Sequence, residues 1–351
     1  MPRGSRAPAW TYARSGVDRG EIGAALQGLL SSVRYRPADA RRRAVGPSGH
    51  YAGLVRVGRE TIAATTDTVG TKVLLAAQLG RWAEVGEDMV AINVNDLASV
   101  GARPFGFVDT ISAARPDRSV FQAIGRGLDR GLRAARCALL GGETAIVPDI
   151  VEGIDLGGTA LGHFPDRNPV FGTSIRPGDR IVGIPSSGVH SNGFTLVRRL
   201  LEKGRVSLRS RRPGGRGSVG EELLRPTRTY VAVSEAVTSR HGVHGLAHIS
   251  GGGVRNLVRL HHRVRFVLDE WPEPPALFRW LQALGPVEDR EMFQTFNMGI
   301  GFVVIVPPAR LDAALGRLAR AGIRDARPVG TVSTGSGVSL PPFNLTYSGY
   351  S

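Results

Sequence analysis

Apolar positions in this chain fall into two kinds of run, and their order repeats. Residues 60–64 form a short β-prone run, and residues 73–79 carry the spacing of an amphipathic helix. The turn between them predicts strand, tight turn, helix. Residues 88–101 place apolar side chains at 90, 94 and 97, one face of a helix. Residues 139–144 read as a strand that runs into a glycine pair. From Gly46 to about Pro165 such β-like runs alternate with helical stretches, which predicts an α/β or α+β arrangement. A turn-rich stretch at 171–179 separates this series from a second one. There a strand at 180–184 and a glycine-bearing turn lead to a helix with Phe194, Val197, Leu200 and Leu201 on one face. A further helical pattern follows at Val254, Leu257 and Val258, then a buried strand at 302–306. The expected division is 1–172, 173–340 and a tail at 341–351, which lacks periodicity and is expected to be loosely ordered. Residues 205–220, rich in Arg, Gly and Ser, are expected as a mobile surface loop.

Composition narrows the class. A chain of 351 residues suits two domains, and 42% hydrophobic with 21% charged residues describes a soluble globular protein. No apolar run approaches the roughly 20 residues that span a bilayer. Residues 1–10 have arginines but no apolar stretch behind them, so a cytoplasmic location is expected, with no membrane partner. A single cysteine, Cys137, excludes an internal disulfide framework and reads as a small packed hydrophobe. The formal charge of +15 invites a nucleic-acid reading. Of the 45 basic residues, however, two are lysines (Lys72 and Lys203), leaving 43 arginines, a compositional bias more than a binding surface. The densest clusters, at 41–43 and 209–216, lack interleaved aromatics for base stacking, so no nucleic-acid partner is expected.

The turn at 65–72 concentrates the chemistry. It offers a carboxylate (Asp67), a glycine (Gly70), hydroxyls including Thr71, and Lys72, at the start of a helix where backbone N–H groups point outward. Phosphate chemistry wants this set, although the spacing is not that of a P-loop and an ordinary strand-to-helix turn is the plain alternative. In 88–101, Asp88 and Asn95 share a face with Asp96 beside it; buried carboxylates there need a cation, and magnesium takes oxygen ligands, whereas a solvated face needs nothing. Gly141, Gly142 and Glu143 let a ligand approach backbone beside a carboxylate, or simply make a turn. The stretch 186–193 gathers Ser187, His190, Ser191 and Asn192 between strand and helix, where an anion could be cradled and a proton handled. His248 precedes three glycines, 251–253, whose entropic cost calls for a reason such as a phosphate on the main chain, or else marks a flexible loop. Asn297 could bond a ligand or cap a turn.

In this order, the segments resemble the phosphoribosylformylglycinamidine cyclo-ligase (aminoimidazole ribonucleotide synthetase) family. The likeness begins at Ser15-Gly16-Val17-Asp18 and runs to about Val332. It includes Asp67 to Lys72, Val94-Asn95-Asp96-Leu97, Gly141-Gly142-Glu143-Thr144-Ala145, residues 187–193, residues 224–230, residues 248–253 and residues 295–301. The resemblance implies a two-domain ATP-binding fold whose N-terminal sheet forms a barrel across a homodimer. It implies MgATP in a cleft between the domains and a ribonucleotide-like substrate whose formamide oxygen is phosphorylated before an imidazole closes. On that basis Lys72 and His190 are the catalytic candidates, and Asp67 and Asp96 hold the magnesium. ATP falls to Asp67, Gly70, Thr71, Lys72, Asn95, Asp109, Gly141, Gly142 and Glu143; substrate falls to Ser187, Ser191, Asn192, His248, Gly251, Gly252, Gly253 and Asn297. The chain departs from the family's usual residues at Thr68 and Gly157 (usually Gly and Ala), at Thr110, Ile146 and Thr159, and at Tyr51 in the loop 49–53. A β-branched Thr68 is expected to be strained if its φ is positive. These departures make two alternatives: a paralogue that activates a different amide or formamide, and a non-catalytic nucleotide-binding partner.

Overall fold

The computed structural model describes residues 10–39, 43–47, 49–165, 168–212, 217–238 and 242–350. Strands Ala44–Val45 (β1), Gly53–Val57 (β2), Glu60–Thr68 (β3), Arg103–Ala113 (β4), Ala138–Ile146 (β5) and Ile154–His163 (β6) make a six-stranded sheet in the order β1-β2-β3-β6-β4-β5. Helices Arg19–Ser32 (α1), Lys72–Leu79 (α2), Ala83–Ser99 (α3) and Arg118–Ala135 (α4) accompany it. β4 and β5 are parallel, so the chain must cross over between them, and α4 is that crossover. Only one face of the sheet is covered. Ala63 and Thr65 of β3 and Phe107, Ile111 and Ala113 of β4 are buried against α3, while the intervening residues Ala64, Thr66, Thr68 and Thr110 stay exposed. α3 and α4 cross with their backbones touching: a Cβ on Gly127 would fall 1.8 Å from the Ala83 carbonyl oxygen.

The second sheet comprises Arg180–Pro185 (β7), Gly245–His248 (β8), Val264–Val267 (β9), Ile300–Val306 (β10), Arg327–Thr334 (β11), Gly337–Leu340 (β12) and Leu345–Tyr347 (β13), ordered β13-β12-β9-β11-β7-β10-β8. Around it lie Phe194–Lys203 (α5), Val219–Leu223 (α6), Val231–Thr238 (α7), Ala276–Ala283 (α8), Asp289–Thr295 (α9) and Leu311–Arg320 (α10). β10 is buried on both faces. Phe302, Val304 and Val306 enter one core with Tyr230 and Leu318, and Val303 and Ile305 enter the other.

α3 is the hinge of the architecture. It packs on β3 and β6 of its own sheet and on α7 and β8 of the other. Its polar residues Asp88, Asn93, Asn95 and Ser99 are therefore fully buried, which excludes the solvated face that the sequence allowed. Two other expectations are corrected. Residues beyond Leu340 are not a loose tail: Leu345–Tyr347 pairs with β12, and the buried Tyr347 donates its hydroxyl to Arg290 O at 2.8 Å. The segment 205–220 is pinned on either side of residues 213–216, which lie outside the described residues. Arg211 bridges to Ser218, Val219 N donates to Ser210 O, and Leu208 is buried. The helical pattern at 254–258 forms a 3-10 segment, Gly253–Arg259. Among the described residues, no helix is long and apolar enough to cross a membrane.

Candidate active site

β3 delivers Asp67 to the sheet's end. Val69 N donates to Leu156 O at 2.8 Å, Gly70 turns the chain at φ 67°, and α2 begins at Lys72. Thr68 stays in the strand, opposite Gly157, so the strain expected of a β-branched residue does not arise; Gly70 carries the left-handed conformation instead. Asp67 accepts from Thr68 N at 2.8 Å. Its carboxylate is open to solvent yet surrounded by protein, as on the floor of a cleft. Desolvation and then the neighbouring Asp96 push its pKa up to about 6, against the opposing pull of Thr68 N–H, His248 and Arg259. Asp96, on α3, pairs through Oδ1 with Nδ1 of His248 at 3.0 Å. A carboxylate of the first domain thus meets an imidazole of the second, with Asp67 near enough to feel the charge of both.

Lys72 opens α2, five residues beyond Asp67. Its ammonium is fully buried, 2.6 Å from Asp88 Oδ2, and it donates to His190 O and Arg225 O at 3.0 Å each. The cation that compensates Asp88 is therefore Lys72, not magnesium. Asp88 Oδ1 also accepts from Thr227 N at 2.7 Å and Thr227 Oγ1 at 2.6 Å. Asn95 is bound up similarly: it donates to Arg228 O at 2.9 Å and accepts from Tyr230 N at 2.7 Å. Residues 225–230 are thus strapped to α3 from one side. Ser187 holds them from the other, donating to Pro226 O at 2.6 Å and accepting from Arg228 N at 3.0 Å. Thr71 and Thr195 hydroxyls meet at 3.1 Å.

His190 stands on the loop this strap supports. It adopts φ 63°, unusual for a residue with a Cβ, and its Nε2 accepts from Ser187 N at 3.3 Å. An accepting Nε2 puts the proton on Nδ1, a buried atom with no partner among the described residues. Burial, then His248, Lys72 and Arg228, hold its pKa well below the usual histidine value, so it is neutral at pH 7. Asn297 ties the same loop down, donating to Gly188 O at 2.8 Å while accepting from Gly299 N at 2.9 Å. Ser191 Oγ meets Thr227 Oγ1 at 3.3 Å, and Asn192 beside it is half-buried. In the 251–253 loop, Gly253 answers to packing: a Cβ there would sit 1.9 Å from Phe293 O. Tyr350 donates to Gly251 O at 3.3 Å from the folded-back C-terminal segment.

The remaining nucleotide candidates divide between two faces of the first sheet. Asp67, Gly158, Asp109 and Gly142 stand in one row across β3, β6, β4 and β5. Asp109 overlies Gly142, where a Cβ would lie 2.2 Å from its Oδ1, and desolvation raises its pKa. Two strand spacings separate the Asp67 and Asp109 backbones by about 10 Å. Glu143 belongs to the next row, with Thr110, Gly157 and Thr68, and side chains alternate, so it faces the opposite, uncovered side.

Several participants gave no usable signal in the sequence. Arg259 is one arginine among 43; here its guanidinium lies 4.2 Å from the Tyr51 ring and donates to Gly49 O and His50 O, binding the loop 49–53 to the second domain. Tyr51 donates to His248 O at 3.1 Å. His50 is buried, edge-on to Phe171, and burial followed by Arg259 pushes its pKa down to about 4. Above pH 6.5 both folded and unfolded forms hold this histidine neutral. Between 6.5 and 4 only the unfolded chain gains the proton, so stability falls as pH drops. His50→Phe is expected to lessen the loss between pH 7 and 4.5 by about 2–3 kcal/mol in urea titrations; an unchanged slope would remove His50 from the acid sensitivity.

Two sheets sharing one buried helix, with carboxylates and glycine loops at the seam, define a class. Residues 49–164 match the family model for the AIR synthase related protein N-terminal domain, and residues 176–341 match that for the C-terminal domain. Among solved structures, AaThiL complexed with AMPPCP and TMP has a TM-score of 0.64 at 16% identity, covering 95% of this chain and 96% of that one. The protein tt0281 from Thermus thermophilus has a TM-score of 0.63 at 20% identity, covering 92% and 97%. These likenesses are of fold. Sequence relatives are more specific: phosphoribosylformylglycinamidine cyclo-ligase of Methanothermobacter thermautotrophicus is 44% identical over 94% of this chain and 96% of its own. That of Thermococcus kodakarensis is 44% identical over 88% and 92%. The chain belongs to the phosphoribosylformylglycinamidine cyclo-ligase family, ATP-dependent ligases that close a ring C–N bond. Nothing among these relatives supports the paralogue or the non-catalytic partner.

Proposed function

We propose that the seam between the domains binds MgATP and formylglycinamidine ribonucleotide and closes the latter to aminoimidazole ribonucleotide, in the purine pathway of the cytoplasm. The observation that carries this is Asp96, paired with His248 where the domains join and close enough to Asp67 at the end of β3 for its charge, after desolvation, to make ionisation of Asp67 costly. A divalent cation relieves that cost. Two oxygen ligands suit magnesium, which keeps water and phosphate oxygens for the rest of its shell. When bound, the ion would supply positive charge beside the phosphates. Gly70 and Thr71, at the start of α2, offer N–H groups to phosphate.

The γ-phosphoryl group passes to the formamide oxygen, leaving ADP. An amidine nitrogen then attacks the activated carbon, and the C–O bond breaks with loss of phosphate and a proton. The neutral His190, with Nδ1–H unpartnered, orients the formyl oxygen or takes part in the proton transfer. Gly251 and Gly252, with Ser191 and Asn192, receive the ribonucleotide. A homodimer accounts for the bare face of the first sheet, where Phe105 is 39% and Leu140 55% exposed; a monomer in sedimentation velocity would sink that part. The main test is incubation with MgATP and formylglycinamidine ribonucleotide, following ADP and imidazole product together. Stoichiometric appearance of both is expected, and ADP formation only with a different amide would overturn the reading.

A further inference from the structure

A single lysine in the phosphate-binding turn suggests a hand on the transferring phosphoryl group, but its surroundings point elsewhere. Lys72 is sealed from solvent: it donates to His190 O and Arg225 O, and Asp88 Oδ2 lies 2.6 Å from its Nζ. These acceptors come from three elements and both domains. Asp88 in turn fixes Thr227 through two hydrogen bonds, and the strap 225–230 closes back on Ser187, three residues before His190. The backbone oxygen of a histidine held at φ 63° thus rests on an ion pair rooted in the first domain.

We propose that Lys72 is a positioning residue: its ammonium, neutralised by Asp88, anchors the His190 and strap backbones so that the imidazole keeps its place beside His248 and Tyr230. The kinetic consequence rests on the cyclo-ligase reading; the placement of the ring does not. A displacement of about 1 Å in such a group can cost about 10²-fold in rate.

The test compares Lys72→Met, Asp88→Asn and the double variant in the full-length protein. Each is assayed for kcat and KM, for MgATP affinity by calorimetry, and for the 15N signals of the His190 ring, assigned with His190→Gln. Positioning predicts that either single variant lowers kcat about 10²-fold and shifts the ring signals. MgATP affinity should stay within about threefold, and the double variant should be no worse than the poorer single, because both break one unit. A lysine that swings onto phosphate predicts the reverse: MgATP binding at least tenfold weaker in Lys72→Met, His190 signals unmoved, and Asp88→Asn near wild type. That result would overturn the proposal. If Lys72→Met does not fold, the double variant, which buries no lone charge, answers the same two questions. If the wild type fails to turn over formylglycinamidine ribonucleotide, the proposed function falls, while ring signals and MgATP affinity still decide the positioning role.

Discussion

Asp67→Asn is expected to lower kcat/KM by about 10³-fold while leaving the folded protein no less stable at pH 7. The first half follows from removing one of the two carboxylates proposed to hold magnesium at the phosphates, an electrostatic contribution of several kcal/mol. The second half follows from the direction of the pKa. Desolvation and Asp96 raise Asp67 to about 6, so the fold disfavours the ionised form that predominates at pH 7. Stability from this group is complete below the unfolded value and is lost as pH rises through about 6. A neutral amide removes that loss and can still accept from Thr68 N. Asp96→Asn should inactivate to a similar degree but behave differently in urea, because it also neutralises the carboxylate that His248 contacts. Loss of activity without loss of stability is the mark of a residue kept for chemistry. If Asp67→Asn instead unfolded the protein, or turned over within tenfold of wild type, the Asp67–Asp96 floor would not be where the metal acts.

The sequence made the local elements legible because local periodicity dictates them. β3, α2, α3, β7, α5 and β10 stand where the runs of apolar residues place them. Contacts between distant segments were not legible. The period of α3 shows one apolar face, and only the arrival of α7 and β8 explains why its polar face is buried as well. Lys72 carried the right charge for phosphate, yet its contacts are with Asp88, Arg225 and His190, which come together only where the domains meet. Likewise Glu143 and Gly142 adjoin in sequence, but pleating sends the one side chain to the face opposite Asp109.

The departures at Thr68 and Gly157 are the most instructive. Read singly, one adds a side chain and the other removes one. In the sheet they are direct partners, and a Cβ on Gly157 would lie 3.1 Å from Thr68 Cγ2. The side chain of Thr68 thus fills space that a side chain at 157 would otherwise take. On the same pair of strands the Thr159 hydroxyl meets that of Thr66 at 2.8 Å. Both pairs lie on the uncovered side of the sheet, away from Asp67.

Lys72→Met should destabilise the protein by about 3–5 kcal/mol, the usual result of stripping one partner from a buried ion pair. Both side chains are wholly inaccessible, so water cannot replace the lost ammonium. Asp88 would keep its bonds from Thr227 N and Oγ1, but a carboxylate with two donors and no counter-charge remains costly in a medium of low dielectric. Methionine is close to lysine in length and fills the same channel, so little of the loss would come from a cavity. For a protein with about 5–15 kcal/mol in total, a loss of this size puts Lys72→Met near the edge of folding. The double variant Lys72→Met/Asp88→Asn removes both charges, and the asparagine oxygen can still accept from Thr227. Because a buried ion pair is often matched by neutral side chains of its own shape, the double variant should return to within about 1–2 kcal/mol of wild type. Urea titrations of the two single variants and the double form a cycle that measures this recovery directly. Strictly additive losses would mean that the two side chains do not act as a pair, and the link from α2 through α3 to the His190 loop would have to be sought in the uncharged contacts of Asn95 and Ser187.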